Sequence, residues 1–338
     1  MPATTTAAPL PDPEHGFRVR VHGYAPIVTG LLRAVRAGTF GQAYLLAGPP
    51  AVGKRTLARL LAQALTCSAA DAGTWPCGAC GSCRQVAHGT SPDVDVAPSP
   101  LRIEEARALQ GRVALAPAGS RHRVAVLPEV DRASLGAVNS LLKTLEEPPP
   151  HTVLLLTASQ LADVLPTIRS RCRVVVLPAQ PVADVAAALV AGWGVSAERA
   201  EWLARLSGGR LGWAARAHAD PALLEAREQW LTGLATALGG DVAGRLSLAA
   251  RLAADGGATA DGLSHWSGWW RDLLLVQQAV PEPVVNRDRL AELESAAARY
   301  AAADVVRVIE AVELALRRLA ANGNPQLTLE VLALDLPA

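Results

Sequence analysis

Val138-Asn-Ser-Leu-Leu-Lys-Thr-Leu-Glu-Glu-Pro-Pro-Pro150, then the apolar run Val153–Thr157, then Ile168-Arg169-Ser170-Arg171-Cys172: this stretch decides how the chain reads. A helical pattern is stopped by three prolines, which cannot continue a helix. A buried strand follows, and it leads into an exposed loop studded with arginine.

Upstream, Tyr44-Leu45-Leu46-Ala47 is a short buried strand running into a Gly/Pro loop at Gly48–Gly53. Leu57–Ala64 has the apolar spacing of a helix packed on a sheet, and residues 17–36 read as an amphipathic helical lead-in. Val124–Leu127 and Val174–Leu177 add two further strands. Strands alternating with helical segments predict an α/β domain, a parallel sheet with helices on both faces. After Pro178 the chain becomes rich in Ala, Leu and Arg, is punctuated by Gly-Gly pairs at 208–209, 239–240 and 256–257, and lacks strand-like runs. That half is expected to be all-helical. The boundaries expected are a flexible tail at 1–16, the α/β domain at 17–179, a small helical domain at 180–220 and a larger helical domain at 221–338.

The 338 residues suffice for about two or three domains, and half of them are hydrophobic. No apolar stretch reaches the ~18–20 residues of a membrane span. The nearest, Val174–Val195, is broken by Pro178, Gln180, Pro181 and Asp184. Residues 1–16 lack a basic segment followed by an apolar one, so a cytoplasmic protein with no membrane partner is expected. A net charge of +1 argues against bulk electrostatic coating of DNA. Among 32 basic residues only Lys54 and Lys143 are lysine. A GC-rich genome accounts for that bias, yet Lys54 falls where a compact ammonium and a planar guanidinium are not interchangeable.

Gly48-Pro-Pro-Ala-Val-Gly53-Lys54 fits the phosphate loop G-x-x-x-x-G-K between a strand and a helix. Its backbone N–H groups and the helix N-terminus are aimed at phosphate oxygens. The next slot, normally a hydroxyl that holds Mg²⁺, is Arg55; Thr56 comes one residue late, which on a helix turns its hydroxyl about 100° away. The strand Val124–Leu127 should end in an acidic pair for Mg²⁺ and water. It ends in Pro128-Glu129: Glu129 keeps the place of the base, the metal-ligating Asp has become proline, and Asp131 is expected to point elsewhere. Two metal contacts are lost, so ATP or ADP at Gly48, Gly53, Lys54 and Thr56 is expected to bind weakly or without hydrolysis.

Cys67, Cys77, Cys80 and Cys83 give C-x9-C-x2-C-x2-C, a tetrahedral zinc pattern. Four thiolates leave no open position, so the zinc would be structural; an iron–sulfur cluster is the lesser alternative. Nearby His88 is not needed as a ligand. The fifth cysteine, Cys172, reads as a small hydrophobe at the start of a strand. For Arg171 the plain alternative is a carboxylate partner on its own domain; the preferred reading is delivery across a subunit interface to a γ-phosphate, worth ~10³–10⁵ in rate. Arg169 and Arg173 share its loop. Lys143 is expected to pair with Glu146 or Glu147 at helical spacing. Trp266, Trp269 and Trp270 share a helix face that reads as core or subunit interface, and Arg121-His122-Arg123 form a weak basic patch.

Together these motifs resemble the AAA+ clamp-loader family of bacterial DNA polymerase III. The carriers are the phosphate loop, the four-cysteine insert, Ser140–Ser159 with its Leu-Leu-Lys-Thr-Leu-Glu-Glu-Pro-Pro-Pro block, and Ser170-Arg171-Cys172. Gln42–Leu45 and Asn324–Leu327 are similar to the family's lead into its phosphate loop and to the start of its last helix. The altered Mg²⁺ residues, and Gly212 where the motor subunits carry a nucleotide-sensing arginine, make the chain similar to delta-prime rather than gamma/tau. The resemblance implies an AAA+ core, a helical lid at 180–220, a collar at 221–338 and assembly with gamma/tau motors and delta in a hetero-pentamer. It implies that Arg171 serves a neighbour's ATP site, with sliding clamp and primer-template DNA as partners. A gamma/tau-type ATPase is the alternative. A stand-alone zinc-containing DNA-binding protein is a third class, disfavoured by the charge.

Overall fold

Short apolar runs whose successive side chains all find cover must lie inside a sheet covered on both faces. The computed structural model, which describes residues 17–254, 259–321 and 323–337, has that arrangement in the middle of its sheet, while the edge strands are partly exposed. The tail expected at 1–16 and the Gly256-Gly257 pair lie outside the described residues. Strands β1 (Ala43–Ala47), β2 (Val94–Val96), β3 (Arg123–Leu127), β4 (Thr152–Ala158) and β5 (Arg173–Val176) form one parallel sheet in the order β2-β3-β4-β1-β5. Along β1, Tyr44 and Leu46 enter one core while Ala43 and Leu45 enter the other. The first core is completed by helices α1 (Ala25–Arg36), α2 (Lys54–Thr66) and α3 (Gly81–His88). The second is completed by α4 (Ile103–Val113), α5 (Leu135–Glu146) and α6 (Pro166–Arg169).

Two departures from the sequence reading have physical causes. Strand β2 escaped notice because it is three residues long, Val-Asp-Val, and only partly covered; its pairing with β3 (Val94↔Val124) makes it a strand. The lead-in is helical only from Ala25. Gly23 and Tyr24 take positive φ of 76° and 55°, which stops a helix from running back through them. Before that turn the Val19 N–H donates to the side chain of Gln63, 2.9 Å away.

Register brings the strand ends together: Ala47 pairs with Ala158, and Leu127 with Leu156. The segments leaving β1, β3 and β4 therefore emerge side by side at the carboxyl edge, where open parallel sheets place their ligand sites. Helix α7 (Val182–Trp193) follows β5.

The chain divides into two compact units: residues through 197 with 209–213, and 198–208 with 214 onward. The second is built from helices α8 (Ala197–Leu206), α9 (Leu211–Ala219), α10 (Ala222–Gly239), α11 (Val242–Ala253), α12 (Thr259–Gln277), α13 (Leu290–Arg299), α14 (Ala302–Ala320) and α15 (Pro325–Asp335), with α8 and α9 starting in the first. Its core gathers Trp230, Trp266, Trp269 and Trp270, so the tryptophan face of α12 is core. The Trp266 indole N–H donates to the Trp230 carbonyl at 2.8 Å, and the Trp230 ring lies against Gly262, where a Cβ would fall 1.8 Å from it. No helix among the described residues is long and apolar enough to cross a membrane.

Candidate functional site

The phosphate loop links β1 to α2. Gly48 has φ 150°, and a Cβ there would meet the Leu177 carbonyl oxygen at 2.0 Å; no other residue fits. Gly53, at φ 108°, opens α2. Lys54 is 7% exposed and turns back on its own loop, its ammonium donating to the carbonyls of Gly48 at 2.5 Å and Pro49 at 2.8 Å. Burial pushes its pKa below the ordinary lysine value, and the carboxylates of Asp131 and Glu129 only partly offset that. From the start of α9 the Gly212 N–H donates to the Ala51 carbonyl at 2.8 Å, and a Cβ on Gly212 would lie 2.7 Å from that oxygen. Arg55, in the metal-hydroxyl slot, is exposed, while Thr56 is half-buried.

Glu129 sits at the carboxyl edge with a left-handed backbone (φ 51°), and its N–H donates to the Thr157 hydroxyl at 3.1 Å. Its carboxylate accepts from the Ser99 hydroxyl at 2.6 Å and lies 3.8 Å from Arg132. Asp131 is turned to the end of β4. Its carboxylate accepts from the backbone N–H groups of Ser159 (2.8 Å) and Gln160 (3.3 Å) at the end of β4, and its charge reaches Lys54. The structure thus gathers Gly48, Gly53, Lys54 and Glu129 at one edge, with Pro128 between Leu127 and Glu129 offering neither charge nor donor.

Arg171 is placed elsewhere, just beyond α6. Its Nε donates to Glu146 Oε1 at 2.9 Å, Nη2 to the same oxygen, and Nη1 to the Thr167 carbonyl at 2.8 Å and the Ser170 hydroxyl at 3.3 Å. Glu146 is therefore Arg171's partner here, a carboxylate on its own domain, so Glu146 is not left to Lys143. Arg169 and Arg173 are exposed. Cys172 is half-buried, and burial pushes its thiol up to about 11, which suits a packing role.

The four other cysteines converge, their sulfurs all within 4.8 Å of one another. Cys67 to Cys80 and Cys77 to Cys83 are each 3.9 Å, close to the ~3.8 Å edge of a tetrahedron with metal–sulfur bonds of about 2.3 Å. Backbone N–H groups of Ala79 and Cys80 point at Cys77 Sγ, and that of Cys83 at Cys80 Sγ. Burial raises the pKa of Cys67 and of Cys83, so a buried cluster of thiolates calls for a cation. The donor set fits a metal ion; His88 stays outside it, exposed, with its ring 5.2 Å from that of Phe17.

Sequence reasoning missed the residue that ties this knuckle to the fold. Gln63, fully buried on α2, accepts from Val19 N–H, and its amide donates to the carbonyls of Phe17 (2.8 Å) and Cys83 (2.9 Å). A glutamine within the apolar run Leu60–Leu65 was the available signal. The basic patch at 121–123 is dispersed: Arg121 stacks on Trp75 at 3.4 Å and donates to the Cys67 carbonyl, His122 faces the Leu65 carbonyl, and Arg123 pairs with Asp95.

Two family profiles match the chain: "DNA polymerase III, delta subunit" over residues 24–181, and the C-terminal part of the same family over 221–337. The DNA polymerase III subunit delta' of Pseudomonas aeruginosa is 40% identical over 168 residues, covering 48% of this chain and 47% of that one. The DNA polymerase III subunit tau of Escherichia coli is 39% identical over 155 residues, covering 45% and 24%. The chain thus spans about a quarter to a half of the length of these relatives. A solved DNA polymerase III gamma subunit-related protein from Thermotoga maritima is 17% identical with a TM-score of 0.43, covering 91% of this chain and 97% of that one.

Proposed function

The chain belongs to the clamp-loader family of DNA polymerase III, and from that premise we propose that it is the delta-prime-like stator of such a loader. In this reading it hydrolyses little or no ATP itself and lends Arg171 to the ATP site of a neighbouring gamma/tau-type motor. The observation that carries the reading is the self-satisfied phosphate loop. The Lys54 ammonium is spent on the carbonyls of Gly48 and Pro49, and Gly212 closes on Ala51. Pro128 and the exposed Arg55 leave no Mg²⁺ ligand in either usual slot. Zinc, held by Cys67, Cys77, Cys80 and Cys83, is the metal proposed for the knuckle, where it would hold structure and take no part in turnover.

The helices at 180–220 are proposed as the lid and those from 221 as the collar, with delta and gamma/tau subunits as partners in a cytoplasmic pentamer. Sliding clamp and primer-template DNA would be reached through that complex. The retained Gly48–Lys54 loop and the tau relatives favour one other reading, a gamma/tau-type ATPase. ATP turnover by a reconstituted loader tests both. A stator shows turnover that falls with Arg171→Ala, barely changes with Lys54→Ala, and is absent from the isolated chain. Turnover by the isolated chain that Lys54→Ala abolishes overturns the stator reading.

A further inference from the structure

Carboxylates at the carboxyl end of a helix face the negative end of its dipole, and Glu146 and Glu147 both sit there, Glu146 as the last residue of α5 and Glu147 as its cap. The prolines at 148–150 forbid another turn that would carry the dipole end away from them. The pair that Glu146 forms with Arg171 is largely in water, with side chains 49% and 31% exposed, so it adds little to stability. Its effect is geometric. Arg171 is held on two sides: Glu146 Oε1 takes Nε and Nη2, while the Thr167 carbonyl and Ser170 hydroxyl take Nη1. Of the five N–H groups of a guanidinium, these contacts leave the second Nη2 donor for an outside acceptor.

We infer that Glu146 is a positioning residue that fixes the Arg171 guanidinium in the orientation it presents to a partner's phosphate. The inference rests on the proposal that Arg171 acts in trans. Arginine is a rotamer-rich side chain, and a donor already held in its working rotamer loses less freedom when it meets the phosphate. The oxygen of Glu146, carried by the last residue of α5, holds the Nε edge.

The test is ATP turnover by the reconstituted loader with clamp and primed DNA, comparing wild type, Arg171→Ala, Glu146→Ala, Glu146→Gln and the double Arg171→Ala/Glu146→Ala. Glu146→Ala is expected to lower kcat about two- to fivefold with the KM for ATP unchanged. Glu146→Gln keeps an acceptor oxygen and should fall between it and wild type, and it serves if the alanine variant fails to assemble. Because both residues act as one unit, the double variant should match Arg171→Ala alone. A low Arg171→Ala turnover beside wild-type or higher turnover for Glu146→Ala and Glu146→Gln overturns this inference and leaves the trans role standing. An additive double variant also overturns it. Wild-type turnover for Arg171→Ala removes the trans role itself, and the inference with it.

Discussion

Replacing Lys54 with alanine separates a closed phosphate loop from a working one. The ammonium is 7% exposed and donates to two loop carbonyls. Hydrogen bonds involving a charged group contribute about 1.5–3 kcal/mol. Burial works against them: the lowered pKa of Lys54 means that the charged form is, on balance, disfavoured where it sits. Burial offsets part of that contribution, so the expected loss of stability is about 1–3 kcal/mol, or some 2–12 °C in a unit of this size. Nucleotide gives the sharper contrast. A site holding ligand at 100 times its Kd gains about 2.7 kcal/mol, roughly 5–10 °C by the same conversion. To reach phosphate, Lys54 must leave both carbonyls and Gly212 must release Ala51, so the isolated wild-type chain is expected to shift by less than about 1 °C with millimolar ATP and Mg²⁺. Lys54→Ala should leave that small response as it is. Thermal unfolding followed by tryptophan fluorescence reads both quantities. A wild-type rise of about 5 °C or more that Lys54→Ala removes would refute the reasoning, because the loop would then open for nucleotide.

Three further outcomes follow from the packing. Purified protein should carry about one zinc per chain by elemental analysis, and chelation should speed tryptic cleavage at Arg18 and Arg20, because Gln63 ties residues 17–19 to Cys83; unchanged cleavage would detach the knuckle from that segment. Gly262→Ala drives a methyl into the Trp230 ring and should cost about 1–3 kcal/mol in urea unfolding; a neutral result would mean that the ring has room to move. Burial alone would raise the pKa of Asp93, but hydrogen bonds from Ala118, Gly119 and Ser120 outweigh it and hold the pKa below the usual carboxylate value. Asp93→Asn should therefore cost about 1–3 kcal/mol at pH 7. A depressed carboxylate stabilises above its unfolded pKa and loses that contribution as pH falls through its folded one, so the gap to wild type should close in acid. A gap that widens as the pH drops would contradict the assignment.

The motifs that were legible in sequence are those whose chemistry lies in neighbouring residues. The phosphate loop needs a glycine at 48 and another at 53, and the cysteine knuckle needs its two-residue steps; both survive intact in the structure. Four of the five strands were legible because an apolar run of four or more residues is its own signal. Val94–Val96 was not, since only the register against β3 makes two half-covered residues and an exposed Val96 a strand. The partner of Asp131 was not legible either, because the end of β4 that binds its carboxylate lies 28 residues further along the chain.

By itself, then, the sequence determined the alternation of strand and helix, the loop between β1 and α2, the placing of Arg55 and Pro128 where the motif would hold Mg²⁺, and the four-sulfur set. Each depends on residues within a turn or a strand of one another. Only tertiary structure decided how those parts are used. It turned Lys54 onto its own loop, brought Gly212 from beyond β5 to Ala51, buried Gln63 between the N-terminal segment and the knuckle, and set Glu146 against Arg171. A donor finds whichever acceptor the packed chain brings within about 3 Å, and that neighbour is set by sheet order and helix ends rather than by distance along the chain.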